Sequence, residues 1–378
     1  MQELIRCFKG WFYFWAWNCS IVGGYLLFVP LTLLQIFTTK FHRRILDLLV
    51  TYWQYYVTTL LFLLKCHVHV TGDPIKSDEI SLVISNHRTR VDWNFLWAVM
   101  YHAVEGKNRW WYSTKFILKK SIRNIPAAGW VMQMAMYVFI NRTWDEDKSV
   151  LDNYIEYVDR MDYKHLLILF PEGTDLTPKT IESSNRFAAL NKLPKYEHVL
   201  HPRSTGFVYL VDEMRKRNCL DAVYDLTLIY PDDCPQNEEQ LFFQGKFPTN
   251  VLAHLVRYPV PALPDNKEGL KVFLEQRWLE KEQTMNEFRK TGNFLYHGSA
   301  LNRDRYLSKA WAYFTQLIWL SLSCVMIYFL FAHVMYFWLV TMYTLSLYVI
   351  PLFKACLRTI GNLIFRKSSR KMKVSASE

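Results

Sequence analysis

From Ala310 to Phe353 the chain runs for 44 residues without an Asp, Glu, Lys or Arg, and His333 is the one side chain there that could carry charge. An α-helix needs about 20 apolar residues to cross a hydrocarbon core of roughly 30 Å, so such a run points to a membrane. Two short passes, or one span followed by an interfacial segment, both fit. Seven cations follow it (Lys354, Arg358, Arg366, Lys367, Arg370, Lys371 and Lys373), and the positive-inside rule predicts a cytosolic tail.

A second uncharged run, Gly10 to Thr39, is 30 residues long and carries Trp11, Trp15 and Trp17 towards one end, as interfacial aromatics do. Pro30 is expected to kink or end its helix. A cleaved signal peptide fits less well, because the run is too long and no Ala-x-Ala site closes it. A third run, Leu48 to Leu64, has 17 residues and includes Gln54 and several Thr and Tyr. It reads either as a tilted, half-buried helix pairing with the first or as a full crossing.

Charge follows the same division. Lys and Arg number 45 against 34 Asp and Glu, for a net +11, yet residues 65–309 hold 33 cations and 31 anions. A nearly balanced middle argues against a nucleic-acid surface. The excess sits beside the apolar runs, where cations meet lipid head groups. The 7 cysteines are scattered with no Cys-x-x-Cys pair, so reduced thiols are expected rather than a disulfide scaffold. Four regions result: a membrane anchor over 1–64, a folded domain over 65–308, membrane segments over 309–353 and a basic tail over 354–378.

The middle alternates short apolar runs with helical patterns. His67–Val70, Ile80–Ser85, Tyr137–Asn141, Leu166–Phe170, Val199–Leu200 and Ala222–Tyr230 read as strands. Val91–Tyr101, Ser149–Asp159, Ile181–Leu190, Gly206–Arg217 and Lys267–Lys290 read as helices. The alternation predicts an α/β domain: a mixed, partly parallel sheet flanked by helices. Lys107, Arg109, Lys115, Lys119, Lys120 and Arg123, interleaved with aromatic and aliphatic residues, suit a helix at the membrane interface or a grip on phosphates, and a solvated face remains open. The charge-laced helix after Lys267 reads as structural packing.

Four segments carry chemistry. In Ser85-Asn86-His87-Arg88-Thr89-Arg90-Val91-Asp92, a continuous helix would place His87 and Asp92 about 140° apart. They meet only if His87 sits on a turn and Asp92 in the first helical turn. Asp92 would then hold one imidazole nitrogen and leave the other as a base, with the nucleophile left to the substrate. Pro171-Glu172-Gly173-Thr174-Asp175 follows a strand, and Gly173 permits close backbone approach to a ligand. Arg142 ends one strand and Arg203 follows His201-Pro202; Arg suits bidentate phosphate contact. No GxGxxG, GKS/T or HExxH motif signals a nucleotide or metal, and Cys66-His67-Val68-His69 lacks a second ligand pair.

The order Asn86-His87-x4-Asp92, Phe139-Ile140-x-Arg142, Phe170-Pro171-Glu172-Gly173-Thr174, x-Pro202-Arg203 resembles the glycerophospholipid acyltransferase family over about 80–260. The longer strings NHRTRVDWNFLW, FPEGTDLT, YEHVLHPRSTGF and LDAVYDLTL are most similar to its lysocardiolipin branch, whose members also acylate lysophosphatidylinositol. The resemblance implies transfer of a fatty acyl group from acyl-CoA, a co-substrate, to a lysophospholipid hydroxyl, with no resident cofactor or metal. His87 would be the general base and Asp92 its orienter. Asn86, Arg142, Glu172, Gly173, Thr174, Arg203 and Lys119 would bind substrates. An even number of crossings would keep the middle on the same, cytosolic side as the basic tail, and the expected setting is multi-pass in the endoplasmic reticulum membrane. Asp175 stands where many members have Arg, removing a cation for the acceptor phosphate. Asn141 stands where an acidic partner for Arg142 is common. A 1-acylglycerol-3-phosphate acyltransferase and a non-catalytic lipid-binding protein are the competing readings.

Overall fold

The structure, a computed structural model, describes residues 1–292, 300–301 and 308–350. The basic tail lies outside the described residues. In chain order come α1 (Gln2–Leu31), α2 (Thr39–Leu63), β1 (His67–Gly72), β2 (Ile75–Lys76), β3 (Ser81–Ser85), α3 (Asp92–Ala103), β4 (Val104–Glu105), β5 (Thr114–Lys119), α4 (Ala128–Met134), β6 (Val138–Ile140) and α5 (Trp144–Met161). Then follow β7 (Leu166–Leu169), α6 (Pro178–Leu190), α7 (Ser204–Lys216), β8 (Ala222–Ile229), α8 (Glu238–Phe242), β9 (Asn250–Pro259), α9 (Lys267–Thr291) and α10 (Lys309–Ala332). A final helix, α11, spans Val334–Ile350.

The main sheet has seven strands in the order β1-β9-β8-β3-β7-β5-β6. All its pairings are parallel except β8 with β9. The sheet is therefore mixed and mostly parallel, flanked by helices as the alternation predicts. Each strand sends alternate side chains to opposite faces. Leu82 and Ile84 of β3 join Leu167 and Leu169 of β7 in a core with Tyr154 of α5, Phe207 of α7 and Trp278 of α9. Val83, Leu166 and Ile168 point the other way, into a core shared with Trp17, Tyr56, Phe95 and Trp97. One face of the enzyme-like domain is thus continuous with the apolar helices.

Those helices are long enough for a bilayer. α1 and α10 are the two described helices long and apolar enough to cross a membrane, and α11 is a shorter apolar helix. Within 310–350, the described part of the long uncharged run, there are two helices, broken at His333, whose backbone is extended. Leu4, Phe8, Trp11 and Trp15 of α1, with Phe331, Met335 and Trp338 of the C-terminal pair, are exposed. Such a large apolar surface calls for lipid. Gly23 makes the packing tight: a Cβ there would come within 2.5 Å of Ser323. Pro30 cannot donate to the Leu26 carbonyl, and the Tyr336 hydroxyl supplies that hydrogen bond at 2.6 Å. The α form of α1 ends at Leu31, one residue after the proline.

The third run falls on α2. α2 packs on α1 through Tyr56 OH to the Ala16 carbonyl (2.9 Å) and on α10 through Gln316 Nε2 to Thr59 Oγ1 (2.8 Å).

Three elements differ from the sequence expectations. Val199–Leu200 is not a strand, because the Val199 N–H is taken by the Glu282 carboxylate of α9 (3.1 Å) instead of a neighbouring strand. The basic segment 107–123 is not an interfacial helix. It forms two short turns around β5, an interior strand whose Lys115 is fully buried and neutralised by Asp47 of α2 (3.1 Å). A partner 68 positions away leaves no local signal. The strand β9, which pairs with both β1 and β8, is not anticipated from the pattern either.

Candidate active site

Because β3, β5, β6, β7 and β8 run in parallel, their carboxyl ends open on one edge of the sheet. Open α/β sheets bind ligands at that edge, where strand order reverses. Here β3 sits between β7 and β8, and the residue that follows it is Asn86. The Asn86 amide prolongs the β3–β8 ladder by one step: Nδ2 donates to the Leu228 carbonyl (2.9 Å) and Oδ1 accepts from the Leu228 N–H (2.8 Å). Asn86 is a clamp for the turn that follows.

His87 lies on that turn and Asp92 opens α3. The two meet, with His87 Nδ1 3.0 Å from Asp92 Oδ2. The Asp92 carboxylate folds back on the turn, accepting the Thr89 N–H (3.0 Å) and Thr89 hydroxyl (3.0 Å). Tyr230, just past β8, donates its hydroxyl to Asp92 Oδ1 at 2.7 Å. Asp92 is fully buried, whereas the His87 side chain keeps 18 % exposure. Phe170 stacks on the imidazole with centroids 4.3 Å apart. An Nδ1–H directed at Asp92 leaves the Nε2 lone pair for a substrate.

The turn after β7 closes the other side. Glu172 Oε1 accepts the His87 backbone N–H (3.3 Å) and the Trp278 indole N–H (3.1 Å). Burial pushes the Glu172 carboxyl up to about 8, against the opposing pull of hydrogen bonds from Trp278 and from the His87 and Leu200 backbone. At neutral pH it is mostly uncharged, so it does not compete with Asp92 for an imidazolium. Gly173 has φ +72°, a conformation that favours glycine, and its missing Cβ would lie 3.7 Å from Arg203 Cδ. The Arg203 N–H donates to the Pro171 carbonyl (2.8 Å), tying the start of α7 to this turn. The exposed Arg203 therefore stands over the Glu172-Gly173-Thr174 turn. The Thr174 hydroxyl donates to Asp175 (3.3 Å).

Lys119 and Arg142 are exposed at the carboxyl ends of the adjacent strands β5 and β6, whose register pairs Lys119 with Ile140. Asn141 does not serve Arg142. It is tied to the first turn of α5, its N–H donating to Asp147 (2.7 Å) and its amide to Glu146. Cys66 is buried while His67 and His69 face outward on β1, so these three do not converge. Among the described residues no group of His, Cys, Asp and Glu could hold a metal ion.

The motif reading misses Tyr230, Thr89 and Trp278. Trp278 had one signal: in α9 the buried stripe Leu270, Leu274, Trp278, Met285 also contains Lys281, a charge on a core face. Lys281 pairs with Asp225 of β8 and donates to the Leu226 carbonyl (2.7 Å), so α9 has one surface committed to the site's wall.

Residues 67–231 match the family model described as Acyltransferase, and 241–319 match the one described as Acyltransferase C-terminus. Lysocardiolipin acyltransferase 1 of Gallus gallus is 39% identical over 274 residues, covering 72% of this chain and 71% of the relative. Lysophosphatidylinositol acyltransferase 10 of Caenorhabditis elegans is 34% identical, covering 75% and 73%. A probable 1-acyl-sn-glycerol-3-phosphate acyltransferase 5 of Arabidopsis thaliana is 29% identical, covering 79% and 82%.

Proposed function

The chain belongs to the acyltransferase family, and from that premise we propose that it moves a fatty acyl group from the thioester of acyl-CoA to the hydroxyl of a lysophospholipid. The single observation carrying the reading is the His87–Asp92 contact of 3.0 Å at the carboxyl edge of the sheet. The acceptor hydroxyl gives its proton to His87 Nε2 as its oxygen attacks the thioester carbonyl. The tetrahedral intermediate expels the CoA thiolate, which recovers the proton from the imidazolium. Asp92, held by Tyr230 and Thr89, stabilises that imidazolium. A positioned base contributes roughly 10²–10⁴-fold, and holding thioester and alcohol together contributes further.

The acceptor is of the lysocardiolipin or lysophosphatidylinositol type. Two relatives at 39% and 34% identity carry those names, and Asp175 withholds one cation from the acceptor turn. Arg203 over Gly173 supplies the phosphate contact, with Arg142 and Lys119 further along the edge. The anchors over 1–64 and 309–353 hold the domain of 65–308 on the cytosolic face of the endoplasmic reticulum membrane. The acceptor enters from the leaflet and acyl-CoA from the cytosol. An acceptor panel tests this with one labelled acyl-CoA and purified protein in detergent. Transfer to lysocardiolipin or lysophosphatidylinositol above lysophosphatidic acid is expected. Preference for lysophosphatidic acid makes the protein a phosphatidic-acid-forming enzyme, and no transfer to any acceptor makes it a lipid-binding protein.

A further inference from the structure

A second recess lies at the opposite end of the sheet. It is an open recess walled by Gln54 and Tyr55 of α2, Trp97 and Tyr101 of α3, and Arg109 and Tyr112. Thr114, at the amino end of β5, also lines it, so it opens on the edge away from His87. From Asp92 to Tyr101 the helix α3 rises about 14 Å, which separates the two sites.

Three features define its ligand. The first is an unpaired cation. The Arg109 guanidinium lies between two rings, 5.1 Å from the Tyr101 centroid and 4.9 Å from that of Trp110, and forms no ion pair among the described residues. Stacking orients its planar donors without satisfying them, and an oxyanion does so best. The second is position. Trp110 touches Tyr52 and Tyr55, and the Tyr52 ring in turn meets Trp319 of α10, so the rim is continuous with an apolar helix. The third is the aromatic surface: Trp110, which lines the recess, is exposed, as are its neighbour Trp111 and, on the first turns of α10, Trp311 and Phe314, aromatics of the kind that sit at head-group depth.

We propose that this recess binds the phosphate of an anionic phospholipid from the surrounding leaflet, with Arg109 as its ligand, at a site separate from the one where acyl transfer takes place. The occupant is a resident lipid, not the acceptor. It adds a contact between the domain and the membrane beside α10.

The test uses the full chain in detergent with phosphatidylglycerol as the probe, scored as lipid retained in native mass spectrometry. Wild type retains it in preference to phosphatidylcholine, and His87→Ala and Arg203→Ala retain it equally. Arg109→Gln lowers retention about five-fold, the scale of one cation at a lipid surface. Arg109→Lys keeps part of it. Trp110→Leu, which frees the guanidinium from its stack, lowers retention with Arg109 intact and serves if Arg109→Gln does not fold. The proposal fails if folded Arg109→Gln binds as wild type does, or, where that variant does not fold, if Trp110→Leu does. It fails equally if Arg203→Ala releases the lipid, if phosphatidylcholine is held as well, or if inorganic phosphate displaces the lipid.

Discussion

Two buried aspartates in this protein each have a tyrosine and a nitrogen partner, and they have opposite uses; Asp47 adds the buried Arg43 at 3.8 Å. Asp92 accepts a tyrosine hydroxyl (Tyr230, 2.7 Å) and faces a nitrogen base (His87, 3.0 Å). Asp47 likewise accepts a tyrosine hydroxyl (Tyr163, 2.5 Å) and faces a nitrogen base (Lys115, 3.1 Å). The difference is where the base ends. Lys115 has no exposure and spends its remaining donors on the Ala135 carbonyl (2.6 Å) and Ser113 (3.4 Å). His87 keeps a second nitrogen at the accessible edge of the sheet. A carboxylate–base pair performs chemistry only when the far side of the base can reach a substrate; sealed on both sides, it joins α2 to the sheet.

Substitutions at the two pairs are expected to separate these uses. His87→Ala lowers acyl transfer by about 10²–10⁴-fold with thermal unfolding unchanged. Retained activity removes His87 as the base. Asp47→Ala does the reverse: it leaves Lys115 buried without its partner and lowers unfolding stability by about 3–5 kcal/mol, while turnover per folded molecule holds. If turnover falls instead, the two pairs are not distinct in function.

Tyr230→Phe sharpens the comparison inside the site. It removes one hydrogen bond to an ionised carboxylate, worth about 1.5 kcal/mol or roughly ten-fold in kcat, with KM for acyl-CoA unchanged. An unchanged kcat makes Tyr230 a packing residue only.

Glu172 gives the smallest effect, read in stability against pH. Its carboxyl is raised from the ordinary 4.5 to about 8, so its stabilising contribution is complete below 4.5 and is lost as pH rises through 8. Between pH 7 and 8 the wild type loses about 1 kcal/mol on this account. Glu172→Gln, which cannot ionise, flattens that decline in a thermal unfolding series, and an unaltered slope shows that Glu172 is charged in the folded protein.

Local sequence carried a good deal of this. Leu166–Leu169 before Pro171-Glu172-Gly173 marks a strand entering a turn, and the five-residue step from His87 to Asp92 already required a turn followed by a helix. The uncharged run after Lys309 required apolar helices. Each of these is a statement about neighbours in the chain, where backbone geometry and hydrophobic period are enough. The basic segment misled because the position of Lys115 on β5 depends on Asp47, and the pseudo-strand at Val199 misled because Glu282 takes its N–H.

The amino acids in order therefore determined the apolar helices, the strand–turn–helix around His87 and the family. Tertiary structure alone decided that Tyr230, 138 positions on, holds Asp92, that Trp278 holds Glu172, and that Arg203 stands over Gly173. The reason is physical. Parallel strands bring distant segments to one edge, and burial decides which charges are neutralised and which face a ligand; neither is a property of any short stretch of chain.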